Sequence, residues 1–127
     1  MARQETDKEY IFSSEEYKKL FELTMDALLV FDPALESITM CNQAACDLFG
    51  YEKKDRFKRL SPLELSARIQ PDGRESAKEV GKILQRVFDE GKVSGQWAYI
   101  RKGGEVFLCE VVLTKIDFSS RPFILAS

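Results

Sequence analysis

The sequence predicts an α+β domain with its helices on one face of a sheet, and three observations predict it. Val80, Ile83, Leu84, Val87 and Phe88 recur at helical spacing ahead of Gly91. From Lys92 the period falls to two, with Trp97 and Tyr99 alternating against Ala98 and Ile100. Near the start, two short apolar runs lie on either side of Asp32-Pro33. The resulting order is a helix, two strands, several short helices, one longer helix and three antiparallel strands.

Residues 1 to 12 carry mixed charge and little periodicity, so they read as a flexible lead or the extension of an upstream helix. Ser13 with Glu16 three residues on forms a capping-box pattern, and Phe12 against Tyr17 supplies a hydrophobic staple. In the helix that follows, Tyr17, Leu20, Phe21 and Thr24 share one face, which needs a cover: the outer side of the sheet, or the same helix of a second copy. Ala27 to Phe31 is a continuous apolar run, expected as a strand buried on both faces. Ser37 to Cys41 reads as the second strand. Asn42 is placed to cap a helix running through Leu48 and Phe49, and Gly50 stops it.

The segment "SPLELSARIQPDGRES", residues 61 to 76, holds Pro62 and Pro71 and no run able to cross a core, so short helical turns and loop are expected there. Leu60, Leu63, Leu65 and Ile69 can point inward from it. Ser76 and Glu79 repeat the capping-box spacing and should open the long helix. After the Gly103-Gly104 turn, Phe107, Cys109, Val111 and Leu113 make one wholly apolar strand face, expected inward. Arg121 to Ala126 is the last strand, and its stop at Ser127 with no polar tail reads as a piece of a longer chain.

Composition narrows the function. At 127 residues and 44% apolar content the chain suits a single core, placed at residues 13 to 127. The net charge of −2, from 21 acidic and 19 basic residues, gives no positive field for nucleic acid or an anionic membrane. The basic cluster Lys53 to Arg59 reads as a solvated turn, since acidic residues interrupt it and no aromatic platform accompanies it. Three cysteines without CxxC spacing or a secretory signal suggest reduced thiols in the cytoplasm. No run approaches the roughly 20 apolar residues that span a bilayer, so this segment is expected to have no direct membrane contact. There is no histidine, which removes Ser-His-Asp and Cys-His nucleophile pairs, imidazole shuttles and His-ligated metal. No phosphate-binding glycine loop is present either, and an enzyme is disfavoured.

Read together, "DALLVFDPALESITMCNQAACDLFGY", "SPLELSARIQPDGRES" and "GQWAYIRKGGEVFLCEVVLTKI" resemble a PAS sensory domain over about residues 15 to 127. The first resembles its opening strands and Asn-started helix, the second a loop of one bacterial subgroup, the third its aromatic hairpin. The resemblance implies a five-stranded antiparallel sheet with short helices and one longer helix on one face, plus an N-terminal flanking helix. It implies a cavity over the sheet, walled by residues 61 to 76, and a role as the input domain of a histidine kinase, diguanylate cyclase or chemoreceptor, with the output domain in the same parent chain. Candidate cavity residues are Asn42, Phe49, Leu84, Phe88, Trp97, Phe107, Cys109 and Val111. For each, plain core packing is the competing reading: Trp97 stacks on a ring-shaped ligand or anchors the core, and capping alone accounts for Asn42. Tyr17, Leu20, Phe21 and Thr24 are candidates for a homodimer interface.

The cofactor is unknown. Haem-binding members use a histidine on the long helix, and this chain has none; adduct-forming flavin members carry Asn-Cys-Arg where this chain has Ser61-Pro62-Leu63. Both types are therefore disfavoured, which leaves a non-covalent flavin or another small organic ligand. Cys46 reads as a packed thiol. The alternative function is a ligand-free protein-interaction scaffold with a filled core.

Overall fold

The computed structural model describes residues 9–118 and 121–127, so most of the lead expected at the N-terminus lies outside the described residues. The elements run α1 (Ser14–Leu23), β1 (Leu29–Asp32), β2 (Ser37–Cys41), α2 (Gln43–Phe49), α3 (Lys54–Phe57), α4 (Pro62–Leu65), α5 (Ser76–Glu90), β3 (Lys92–Ile100), β4 (Val106–Phe118) and β5 (Arg121–Ala126). The strands form one antiparallel sheet in the order β2-β1-β5-β4-β3. This is the five-stranded α+β arrangement expected from the sequence.

Local chemistry explains most boundaries. Ser13 and Glu16 make the capping box on α1, and the Phe12 and Tyr17 rings meet at 5.5 Å. The Asn42 side chain caps α2 by accepting from the Ala45 N–H. Gly50 and Gly91 end α2 and α5 at φ 80° and 85°, a left-handed conformation that costs glycine little. Pro62 opens α4 behind the Ser61/Glu64 capping box, whose serine-to-glutamate spacing is the same as that of Ser13 and Glu16.

Two expectations are corrected. Ser76 does not cap α5, which has Glu75 at that position without a side-chain bond. The Ser76 hydroxyl is fully buried and donates to the Ala67 carbonyl instead, while accepting from Gln70 Nε2 at 2.8 Å. The first strand begins at Leu29 rather than Ala27, because Asn42 binds both the Leu28 N–H and the Asp26 carbonyl.

Register fixes the two faces of the sheet. Trp97 stands opposite Cys109, Tyr99 opposite Phe107, and Leu29 opposite Ala126, all toward the helices. The core beneath them joins Leu29, Phe31, Ile38, Phe49, Phe57, Leu65, Val87 and Ile124. Each such side chain contributes about 1.5–3 kcal/mol of burial relative to exposure. On the opposite face, Val106 and Leu108 are each 58% exposed, and Phe118 is 50% exposed.

Candidate functional site

A hollow of about 570 Å³ opens between α5, the irregular wall around Pro62–Arg74 and the inner side of the sheet. Its floor comes from β1, β3, β4 and β5 through residues such as Phe31, Tyr99, Val111, Leu113 and Ile124. Its roof is Val80, Ile83 and Leu84, one face of the α5 stripe. That volume falls in the range of about 300–1,000 Å³ that small-molecule sites occupy, and an apolar lining of this kind is typical of them.

The wall is held by isolated backbone bridges, Ser66 to Tyr99 and Ile69 to Glu75, together with side chains, and not by a continuous ladder. Ala67 N–H donates to the Ala98 carbonyl at 2.9 Å. Ala98 N–H in turn donates to Gln70 Oε1 at 2.8 Å, and Gln70 Nε2 donates back to the Ala98 carbonyl at 3.1 Å. Trp97 Nε1 donates to Ser66 Oγ at 2.8 Å, while that hydroxyl donates to the Pro62 carbonyl at 2.7 Å. The indole ring is thus fixed as part of the wall with its polar atom satisfied. At the rim, Glu79 of α5 accepts ion pairs from Arg74 of the wall at 3.1 Å and from Lys82 at 3.4 Å.

Of the cavity candidates, Leu84, Trp97 and Val111 line this hollow together. The other five are placed elsewhere. Asn42 is fully buried and all its hydrogen bonds go to backbone: it accepts from Leu28 N–H and Ala45 N–H at 3.0 Å each, and donates to the carbonyls of Phe21 at 3.1 Å and Asp26 at 2.8 Å. Phe49 and Phe107 belong to an aromatic cluster with Phe57 and Tyr99 at the far end of the sheet. Phe88 packs on the core, and Cys109, opposite Trp97, stays outside the hollow's walls. Leu65 and Leu60 pack inward from the wall, whereas Leu63 and Ile69 face solvent. They sit on the sides of short turns that the apolar positions of an irregular segment do not reveal. Gln70 and Ser66 were missed by sequence reasoning, since neither belongs to a periodic pattern.

The helix α1 is held at its C-terminal end. Asn42 binds the Phe21 carbonyl, Gln43 N–H donates to Glu22 at 2.9 Å, and Glu22 pairs with Lys54 of α3. No residue of α1 is buried; Tyr17 and Leu20 face solvent, and Phe21 and Thr24 are half-buried.

The thiols are held protonated. Burial, then the neighbouring Cys46 at an Sγ–Sγ distance of 3.8 Å, pushes Cys41 up to about 12 from 9.0. Burial also raises Cys46, Cys109 and the Tyr99 phenol. The folded chain keeps protons that the unfolded chain releases above about pH 9, so this stability is present below pH 9 and is lost as pH climbs toward 12. Thermal melts from pH 9 to 11 should show a midpoint that falls with pH, with Cys41 contributing at most about 1.4 kcal/mol of lost stability per pH unit. Cys41→Ala should flatten the slope, and an unchanged slope would remove Cys41 from the account.

Comparison with known proteins adds a family. A family model described as a PAS domain matches residues 15–89. A PAS domain from a two-component sensor histidine kinase superposes with TM-score 0.70 at 16% identity, covering 90% of this chain and 96% of that one. The PAS domain of an HTR-like protein from Haloarcula marismortui gives 0.72 at 24% identity, covering 89% and 87%. A PAS domain of a LuxR-family transcriptional regulator from Burkholderia thailandensis, solved in complex with ethanol, gives 0.65 at 22% identity, covering 87% and 93%. No curated protein matches the chain significantly.

Proposed function

Since the chain belongs to the PAS domain family, we propose that residues 13–127 form the sensory input domain of a cytoplasmic signal-transduction protein, which takes a small apolar or aromatic ligand in the hollow under α5. The observation that carries this reading is the hollow itself, about 570 Å³, lined mainly by apolar side chains and closed by a wall pinned through Gln70 and Trp97. A fold relative solved with ethanol supports it. No residue is assigned a catalytic step; the ligand acts by preferring one arrangement of wall, α5 and sheet, because only differential affinity shifts an equilibrium. The output domain, of kinase, cyclase or chemoreceptor type, lies in the same parent chain. Among the described residues no helix is long and apolar enough to cross a membrane.

Mass spectrometry of natively purified protein, with an absorbance scan above the protein band, tests the reading. A co-purifying small molecule, a non-covalent flavin included, supports the sensor. Repeated clean samples favour a ligand-free interaction scaffold, a reading to which the exposed apolar surface of α1 and the sheet lends weight.

That surface also suggests a homodimer. Tyr17, Leu20 and Leu23 on α1, and Val106, Leu108 and Phe118 on the outer sheet face, are all at least half exposed in one chain, and apolar side chains exposed in groups are the kind of surface that partners cover. Sedimentation at micromolar concentration should show a dimer, and Leu20→Asp should shift it to monomer. A chain that is monomeric throughout, with Leu20→Asp unchanged, would count against this use of α1.

A further inference from the structure

The hollow's mouth is bounded by a sheet edge with free hydrogen-bonding capacity. β3 ends the sheet, and on its outer side only the wall meets it, through a Ser66–Tyr99 bridge and the Ala67 N–H on the Ala98 carbonyl, which leaves the edge from Ser94 to Gln96 without a partner strand. In an antiparallel pair the N–H and C=O of alternate residues point toward and away from the neighbour. Ala98 directs both groups away from β4, because both bind outside the β3-β4 pair, the N–H to Gln70 and the carbonyl to Gln70 and the Ala67 N–H. By the same alternation Gln96 and Ser94 direct theirs to the same free edge. Ser94, Gly95 and Gln96 line the hollow.

Several side-chain polar groups beside this edge are already engaged. Trp97 Nε1 is bound to Ser66, the Gln70 amide to Ala98 and Ser76, and Arg74 and Lys82 to Glu79. Among the described residues no buried side-chain nitrogen or oxygen lacks a partner. Along this edge the capacity left for a ligand is backbone, the N–H and C=O of Gln96 and of Ser94.

The chain shows what fits such a pair. The Gln70 carboxamide sits on Ala98 with two hydrogen bonds, its oxygen accepting at 2.8 Å and its nitrogen donating at 3.1 Å. From this internal example we propose that the hollow selects a ligand whose apolar ring system carries an amide or lactam edge, docked on the backbone N–H and C=O of Gln96 beside Gln70. The ring lies against Trp97 and under Val80 and Ile83. The inference rests on the reading that the hollow takes a ligand, and it adds what that ligand must present.

Three neutral probes of one shape test it on the whole chain: 2-quinolone, which has adjacent N–H and C=O; N-methyl-2-quinolone, which lacks the donor; and quinoline, which has no lactam. Titrations followed by backbone amide NMR should show 2-quinolone binding about tenfold more tightly than the other two, the worth of one or two net hydrogen bonds. The Gln96 amide proton should move on binding of 2-quinolone and much less with quinoline. Gln96→Pro removes the donor on an edge where proline is tolerated, and should abolish the preference, while Gln96→Ala retains it. The probe comparison stands even where Gln96→Pro fails to fold. Equal binding of all three probes overturns the lactam preference and leaves the ligand reading intact. No binding of any probe at millimolar concentration overturns both for ring-shaped ligands.

Discussion

Phe49→Ala should cost about 4 kcal/mol, the expected loss for truncating a buried phenylalanine, a large share of the roughly 5–15 kcal/mol that holds a domain. The side chain is 2% exposed, and its ring lies 5.1 Å from Phe57, 5.2 Å from Tyr99 and 5.3 Å from Phe107, all edge-on. Each of those partners comes from a different element, so Phe49 joins α2, α3, β3 and β4 at one point. Edge-to-face pairs add about 0.5–1.5 kcal/mol beyond burial, and no neighbour is free to collapse into the space without breaking another pair. Phe49→Leu keeps most of the volume but loses the three edge-on ring pairs, so it should cost about 2–3 kcal/mol, less than the alanine. Urea denaturation of the two variants measures the difference. A loss under about 1 kcal/mol for Phe49→Ala would mean that the cluster relaxes around the gap, contrary to this packing.

Asn42→Ala should be the next most severe, at about 3 kcal/mol, because it removes a buried helix cap worth about 1 kcal/mol and leaves three part-buried backbone groups to find water, each at less than the full buried penalty of about 1–3 kcal/mol. The amide reaches backward to α1 and the 26–28 segment and forward to α2. Asn42→Ser separates the two roles: a serine caps α2 about as well but is too short to donate to Phe21 and Asp26. The serine variant should therefore keep more stability than the alanine, while hydrogen exchange in α1 speeds up in both. Protection of α1 that is unchanged in Asn42→Ala would show that Glu22, through Gln43 and Lys54, holds the helix by itself.

The legible parts of the fold were those with a period or a cap. The α5 stripe, the alternation in β3 and β4, the Ser13 box and the glycine stops each follow from a spacing that local physics imposes. What was not legible depends on contacts between distant residues. Ser76 has the spacing of a cap, yet its hydroxyl serves Ala67 and Gln70, a choice set by how the wall folds back. The site suffered most. Phe49, Phe107 and Trp97 are all inward aromatic residues, and nothing in their sequence context says that the first two close the far end of the sheet while the third walls the hollow. Gln70 stands in an aperiodic stretch, and only the arrival of Ala98 opposite it gives its amide a task.

Trp97 is the chain's one tryptophan, and its indole is tethered to Ser66 with its ring on the hollow. The protein therefore carries an intrinsic optical reporter at the place where occupancy matters. Its emission colour and intensity register the polarity of that one compartment, without a label and without interference from a second fluorophore of the same kind.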